Sequence, residues 1–112
     1  METMYLDNMV RGWFVGSFEP SALNTRDVEV GVKSYKAGDT ELKHYHKIAT
    51  EITVVLSGKV KINNREFTKG DMIILKPGEA SEFTALTDAI NVVVKHPGAR
   101  DDKYLCQGED HA

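Results

Sequence analysis

Two of the four histidines in this 112-residue chain stand in one tripeptide, His44-Tyr45-His46, and a carboxylate, Glu51, follows five residues after the second. On a β-strand, residues two apart share a face with their backbones about 6 to 7 Å apart, a span that two imidazoles can close onto one ion. Glu51 opens a further segment in which Thr53 and Val55 share its face, and residues 47–50 have the length of a hairpin connection. Two imidazoles and one carboxylate on neighbouring strands leave coordination positions open to substrate, water or dioxygen. The expected cofactor is therefore one divalent transition metal, Fe, Mn, Zn or Ni, with His44, His46 and Glu51 as ligands. Without a metal, His44 or His46 is placed to act as a general base.

Such a site needs strands, and apolar residues recur with period two, as in Val28, Val30, Val32 and again in Val60, Ile62. The pattern predicts eight strands, over residues 13–18, 28–35, 41–46, 51–56, 59–63, 71–75, 81–85 and 89–95. Turn formers separate them at intervals of about 6 to 12 residues: Gly38-Asp39, Ser57-Gly58, Asn63-Asn64, Lys69-Gly70-Asp71 and Pro77-Gly78. The fold class is all-β, a barrel or double sheet. One helical turn is expected over residues 20–25.

Composition narrows the function classes. With 41% hydrophobic and 28% charged residues, the chain is globular rather than disordered, and its length fits a single domain. The core is expected at about residues 10–104, followed by a polar tail of about 105–112 that holds His111. A net charge of −3 gives no broad attraction for nucleic acid. The cations Lys59, Lys61, Arg65 and Lys69 interleave with Val60, Ile62 and Phe67 as the solvated face of a hairpin would. Cys106 is the one cysteine, which excludes a disulfide within the chain and a Cys-based zinc motif, and points to a reducing, cytoplasmic setting. No apolar run approaches the ~18 residues of a membrane span, and the start lacks the order of a signal peptide. His96, before Pro97, reads as a surface turn residue, Trp13 and Phe14 as core or subunit-contact residues, and Tyr35 as a residue of the barrel mouth.

Glycines frame the ligand triad: Gly38, five residues, His44, one residue, His46, four residues, Glu51, six residues, Gly58. Such a coincidence is expected by chance in roughly one chain per hundred thousand. The segment resembles the first signature motif of the cupin superfamily at every defining position. The resemblance implies a small barrel of two antiparallel sheets, a double-stranded β-helix or jelly roll. It also implies a metal inside the barrel on His44, His46 and Glu51, with Gly38 and Gly58 in turns.

A second motif of that family is matched in part by Gly70-Asp71, the apolar residues 72–75 and Lys76-Pro77-Gly78. Ser81 stands where the family's fourth ligand, a histidine, is expected. The consequences are a three-ligand site with an extra open position, a water held by Ser81, or Glu82 as the fourth ligand after a one-residue slip in register. A further one is metal-free chemistry like that of sugar-nucleotide epimerases and ketoisomerases of this fold. The ending, Asn91 to Pro97 and then Asp101-Asp102-Lys103-Tyr104, resembles that of a group of small cupins, and Asp102-Lys103-Tyr104 reads as packing and capping the barrel. The expected function is metal-dependent oxygenation, isomerisation or elimination on a small polar metabolite held in the barrel. The alternatives are a non-catalytic small-ligand or sugar-binding protein and, last, a structural zinc site. By analogy with small cupins, a homodimer is expected, formed through the sheets or the segment 10–18.

Overall fold

The computed structural model describes residues 1–98 and 101–106, so the expected tail with His111 lies outside the described residues. Within them the chain forms two short 3-10 turns, Leu6–Asn8 and Val10–Gly12, and then strands. These are β1 (Trp13–Val15), β2 (Glu29–Tyr35), β3 (Thr40–His46), β4 (Thr50–Ser57), β5 (Lys59–Ile62), β6 (Arg65–Thr68), β7 (Met72–Leu75), β8 (Ser81–Ala85), β9 (Ala89–His96) and β10 (Lys103–Leu105). They pair into two five-stranded sheets, β1-β2-β9-β4-β7 and β10-β3-β8-β5-β6, antiparallel throughout. This is the all-β, two-sheet architecture expected from the sequence. No helix among the described residues is long and apolar enough to cross a membrane.

Alternation decides which side chains meet between the sheets. In β4, Thr53 and Val55 are buried, and in β8, Ser81, Phe83 and Ala85 are. Val55, Val60, Ile62, Phe83, Ala85 and Ala89 form one apolar cluster, with Tyr35, Phe67 and Ile73 packed against it. This cluster fills one end of the barrel and leaves the other end to a cavity of about 590 Å³.

Two expectations need correction. Residues 20–25 make no helical turn. They lie beside β1 in the same direction, where Ala22 N–H donates to the Phe14 carbonyl at 2.8 Å, Gly16 N–H donates to the Leu23 carbonyl at 3.2 Å, and Leu23 forms a parallel bridge with Val15. One isolated turn would leave such backbone groups unpaired, whereas an adjacent strand satisfies them. The strands also number ten among the described residues rather than eight. The additional ones are β6, which closes a hairpin through Asn63 and Asn64 at φ 51° and 66°, and β10, which pairs with β3.

The turn at Ser57-Gly58 is sterically closed. Gly58 has φ +82°, and a Cβ there would lie 2.1 Å from the Asp88 carbonyl oxygen, while a Cβ on Gly38, at φ +92°, would meet nothing within 4 Å. Gly38→Ala is therefore expected to cost only the strain of a left-handed backbone, about 1–2 kcal/mol. Gly58→Ala adds an overpacking term and should reach about 3 kcal/mol or more. Urea midpoints of the two variants check the order, and equal midpoints would refute it.

The outer face of the β1-β2-β9-β4-β7 sheet carries two apolar rows across adjacent strands, Val30-Val94-Ile52-Ile74 and Val32-Val92-Val54-Met72. At the β7 edge Met72 and Ile74 are 66% and 56% exposed.

Candidate metal centre

Strand β3 carries both histidines inward, as alternation foresees, and adds Glu41 to their face by a device that alternation does not foresee. Its pairing with β8 runs Glu41 to Phe83 and then His44 to Ser81, three residues against two, so a bulge intervenes. The extra residue re-aims the strand, so that Glu41, His44 and His46 all line the cavity. His44 and His46 are each 6% exposed, with ring centroids 5.4 Å apart and planes at 83°.

Each imidazole is held by a carbonyl. His44 Nδ1 lies 2.9 Å from the Leu42 carbonyl oxygen and His46 Nδ1 lies 2.8 Å from that of Asp102. A carbonyl only accepts, so both Nδ1 atoms carry a proton and donate it, and in the neutral rings Nε2 is the atom with a free lone pair. His46 Nε2 is buried without a hydrogen-bond partner, 3.5 Å from Glu51 Oε1. A bare lone pair facing a carboxylate is repulsive unless a proton or a metal ion lies between them. The nitrogen and carboxylate atoms of His44, His46 and Glu51 all come within 4.8 Å of one another. The donor set and the orphaned nitrogen thus fit a divalent metal.

Electrostatics keep His44 and Glu51 in ligand form. Burial pushes the His44 imidazole below its ordinary range and outweighs the opposing pull of the Leu42 carbonyl, so the ring stays neutral. Burial pushes the Glu51 carboxyl up, but His46 and Lys95 more than offset it, and Glu51 ends below the usual carboxylate range.

The connection between His46 and Glu51 is pinned by Asp102, 4% exposed. Its Oδ1 accepts from Lys47 N–H at 3.0 Å and Ile48 N–H at 3.2 Å, and its Oδ2 accepts from Ile48 at 3.1 Å and Ala49 at 3.0 Å. Burial raises this carboxyl, yet the three backbone donors prevail and hold it below its usual range. One residue thereby fixes the turn with its side chain and the His46 tautomer with its carbonyl.

The structure brings Ser81 to the cavity as the buried cross-strand partner of His44. Glu82 does not join it: the side chain is exposed on the opposite face, and its N–H donates to Asn63 Oδ1 at 3.0 Å. Tyr35 lines the cavity, tilted against Phe83 at 4.4 Å, and its hydroxyl donates to Glu41 at 3.3 Å. Burial and then Glu41 push its phenol far above the ordinary range, so it stays protonated. His96 is exposed at the end of β9. Sequence reasoning missed Lys33, Lys95 and Asn91, which line the same cavity. The available signal was their position on the inward phase of β2 and β9.

No family model and no curated protein matches the chain. Solved structures do. A double-stranded β-helix protein of Klebsiella pneumoniae aligns at 26% identity and TM-score 0.67, over 77% of this chain and 80% of its own. An RmlC-like cupin of Shewanella frigidimarina aligns at 20% identity and TM-score 0.63, over 70% of this chain and 72% of its own. The Bacillus subtilis oxalate decarboxylase, a protein with Mn(II) centres, aligns at 18% identity and TM-score 0.61, over 73% of this chain and 25% of its own.

Proposed function

The chain has the double-stranded β-helix fold of the cupin superfamily, and we propose that it is a metal-dependent enzyme acting on a small polar metabolite through His44, His46 and Glu51. The observation that carries this reading is the bare, buried Nε2 of His46 facing Glu51, with His44 within the same 4.8 Å. Likeness in fold to a protein with Mn(II) centres supports a divalent ion, and a donor set of two nitrogens and one carboxylate accommodates Fe(II), Mn(II), Zn(II) or Ni(II). When bound, the metal supplies Lewis acidity and open positions for a substrate oxygen. The residues of the chain do the remainder. The Leu42 and Asp102 carbonyls hold the proton of each neutral ring on Nδ1 and so leave Nε2 as the donor atom, Glu51 brings one negative charge, and Ser81 in place of a third imidazole leaves room beside His44. Phe83, Ile62 and Val93 wall the cavity with hydrocarbon and limit water in it. Oxygenation, isomerisation and elimination are the reactions this arrangement serves.

The test is metal content by mass spectrometry on protein purified without tag or chelator. Close to one equivalent of a transition metal is expected. Metal-free protein that also refuses added Fe(II), Mn(II), Ni(II) and Zn(II) would overturn the reading and leave the two Nε2 atoms as general bases.

A cytoplasmic homodimer is part of the same proposal. The two apolar rows on the outer sheet face are suited to a second copy, since contiguous apolar patches beyond a few hundred Å² are rare on monomers. Light scattering is expected to give twice the 12.5 kDa of the chain, and Ile74→Glu, which sets a charge in the outer row, to return it to the single mass. A wild-type monomer at working concentration would refute the dimer.

A further inference from the structure

Above the ligand triad, the inner wall of the barrel carries a cluster of cations, of which the metal centre draws only on Lys95, beside Glu51. Lys95 on β9 is the cross-strand partner of Glu51 on one side and Glu29 on the other, and Lys33 on β2 is that of Asn91. Between the two lysines on this face stands Gly31, paired with Trp13 of β1. A Cβ on Gly31 would lie 2.7 Å from the indole, so only glycine lets the ring rest on the sheet here. Both ammonium groups lie against that ring, Lys33 at 5.4 Å and Lys95 at 4.9 Å from its centroid. Arg11 and Lys103 stand at the exposed rim of the same cavity, within electrostatic reach of Lys33, and Lys103 is also the cross-strand partner of His46.

Four cations in one cavity repel one another, in a chain whose net charge is −3. Among the described residues no carboxylate lies within the 4.0 Å of an ion pair with any of them. The carboxylates deeper in the cavity have other direct partners and act on the lysines only through space, Glu41 on Lys33 and Glu51 on Lys95: Glu51 faces His46, Glu41 accepts from Tyr35, and Asp102 accepts from three backbone N–H groups. Glu19, Glu29 and Asp101 line its edge. Lysine stems are long enough to carry their charge into solvent, yet Lys33 and Lys95 remain half-buried on the indole. Such an arrangement gains little for the empty fold and much for an anion that enters it. Asn91 adds a second unmet requirement, since it is 1% exposed, lines the cavity and has an Oδ1 without a hydrogen-bond partner. That oxygen needs a donor.

We propose that the cavity binds a small hydroxylated oxyanion, its carboxylate or phosphate held between Lys33 and Lys95 over Trp13, with Arg11 and Lys103 at the entrance and its hydroxyl donating to Asn91 Oδ1. The inference names the substrate class of the enzyme proposed above and rests on that reading for what happens to the acid once bound, not for its binding.

Trp13 is the one tryptophan of the chain, so its fluorescence reports on this site directly. The wild-type protein is titrated with malate, succinate, inorganic phosphate and the neutral polyol erythritol, with the metal content of each sample read in parallel. A saturable change with malate or with inorganic phosphate, and none with erythritol, is expected, and the stronger of the two anions identifies the oxyanion. Lys33→Gln/Lys95→Gln should weaken binding by about tenfold or more, the scale of one lost charge-assisted hydrogen bond. Glu29→Gln, which removes a negative neighbour of Lys95, should tighten it. Succinate binding as tightly as malate would remove Asn91 from the proposal. No response to either anion, or an undiminished response in a folded double variant, overturns it. Should the double variant fail to fold, Glu29→Gln and salt decide: affinity must rise in that variant and fall with ionic strength, and the opposite result overturns the proposal. A protein that is metal-free, refuses added metal and still responds refutes the metal reading and keeps this one, whereas a metal-loaded protein indifferent to all four probes does the reverse.

Discussion

The His46→Ala protein is expected to leave purification with less than about a tenth of an equivalent of transition metal, where the wild type carries close to one. Partners that merely orient a ligand typically contribute about 10- to 100-fold in affinity, and removal of a ligand itself should exceed that. The expected loss is large because nothing replaces the imidazole. Ser81, opposite His44, is a poor ligand, and Glu82 faces away from the cavity. Only His44 and Glu51 would remain, too few to hold a labile divalent ion through a column. Two further variants separate coordination from charge. Glu82→Gln removes a carboxylate from the outer face and is expected to leave metal content unchanged, whereas Glu51→Gln removes the one anionic donor and should behave like His46→Ala. Metal retained at wild-type level in His46→Ala, with circular dichroism showing the fold intact, would place the ion elsewhere and refute the triad.

The readable part of this molecule was the part governed by period two. His44 and His46 came out together because they stand two apart beyond the bulge, at the end of β3, and Glu51 with them because it lies just past the short connection 47–49 at the start of β4. The same alternation separates Ser81 from Glu82, since Ser81, Phe83 and Ala85 share the buried phase. Where phase breaks, the sequence is silent. The bulge between Glu41 and His44 has no signature in residue type, so that Glu41 could not be assigned to the face of the histidines. Strand β6 has a single partly buried apolar residue, Phe67, and depends on its hairpin partner β5, while β10 is three residues long and depends on pairing with the distant β3. Lys33 and Lys95 are the instructive case. A lysine on a half-buried strand is normally read as the outward phase, and here two inward lysines reach the cavity because Gly31 clears the space for an indole between them.

Asp102→Ala is expected to be the most destabilising single change in the region of the centre, by about 3 kcal/mol, or a fall in Tm of about 10–20 °C. The carboxylate takes three consecutive backbone N–H groups, Lys47, Ile48 and Ala49, in four contacts of 3.0 to 3.2 Å. Ala49 is 2% exposed and would keep a buried donor without a partner, at about 1–3 kcal/mol, while Lys47 and Ile48 lie nearer the surface and can turn to water at less cost. Asp102→Asn should recover little, because one carbonyl oxygen replaces two acceptors and the amide hydrogens would face N–H groups. The effect carries a pH signature of fixed sign. The folded-state carboxyl titrates below its usual value of 3.8, so its contribution is complete above that value and is lost as pH falls through the lower, folded-state value. The Tm gap between wild type and Asp102→Ala should therefore be full at pH 6 and shrink below about pH 4, and a gap independent of pH would refute the assignment. Metal binding follows from the same geometry. His46 Nδ1 bonds the main-chain carbonyl of residue 102, which alanine retains, so the imidazole keeps its tautomer while the turn that sets Glu51 opposite it loses its clamp. Affinity should then fall about 10- to 100-fold rather than vanish, which distinguishes a positioning residue from the ligands it serves.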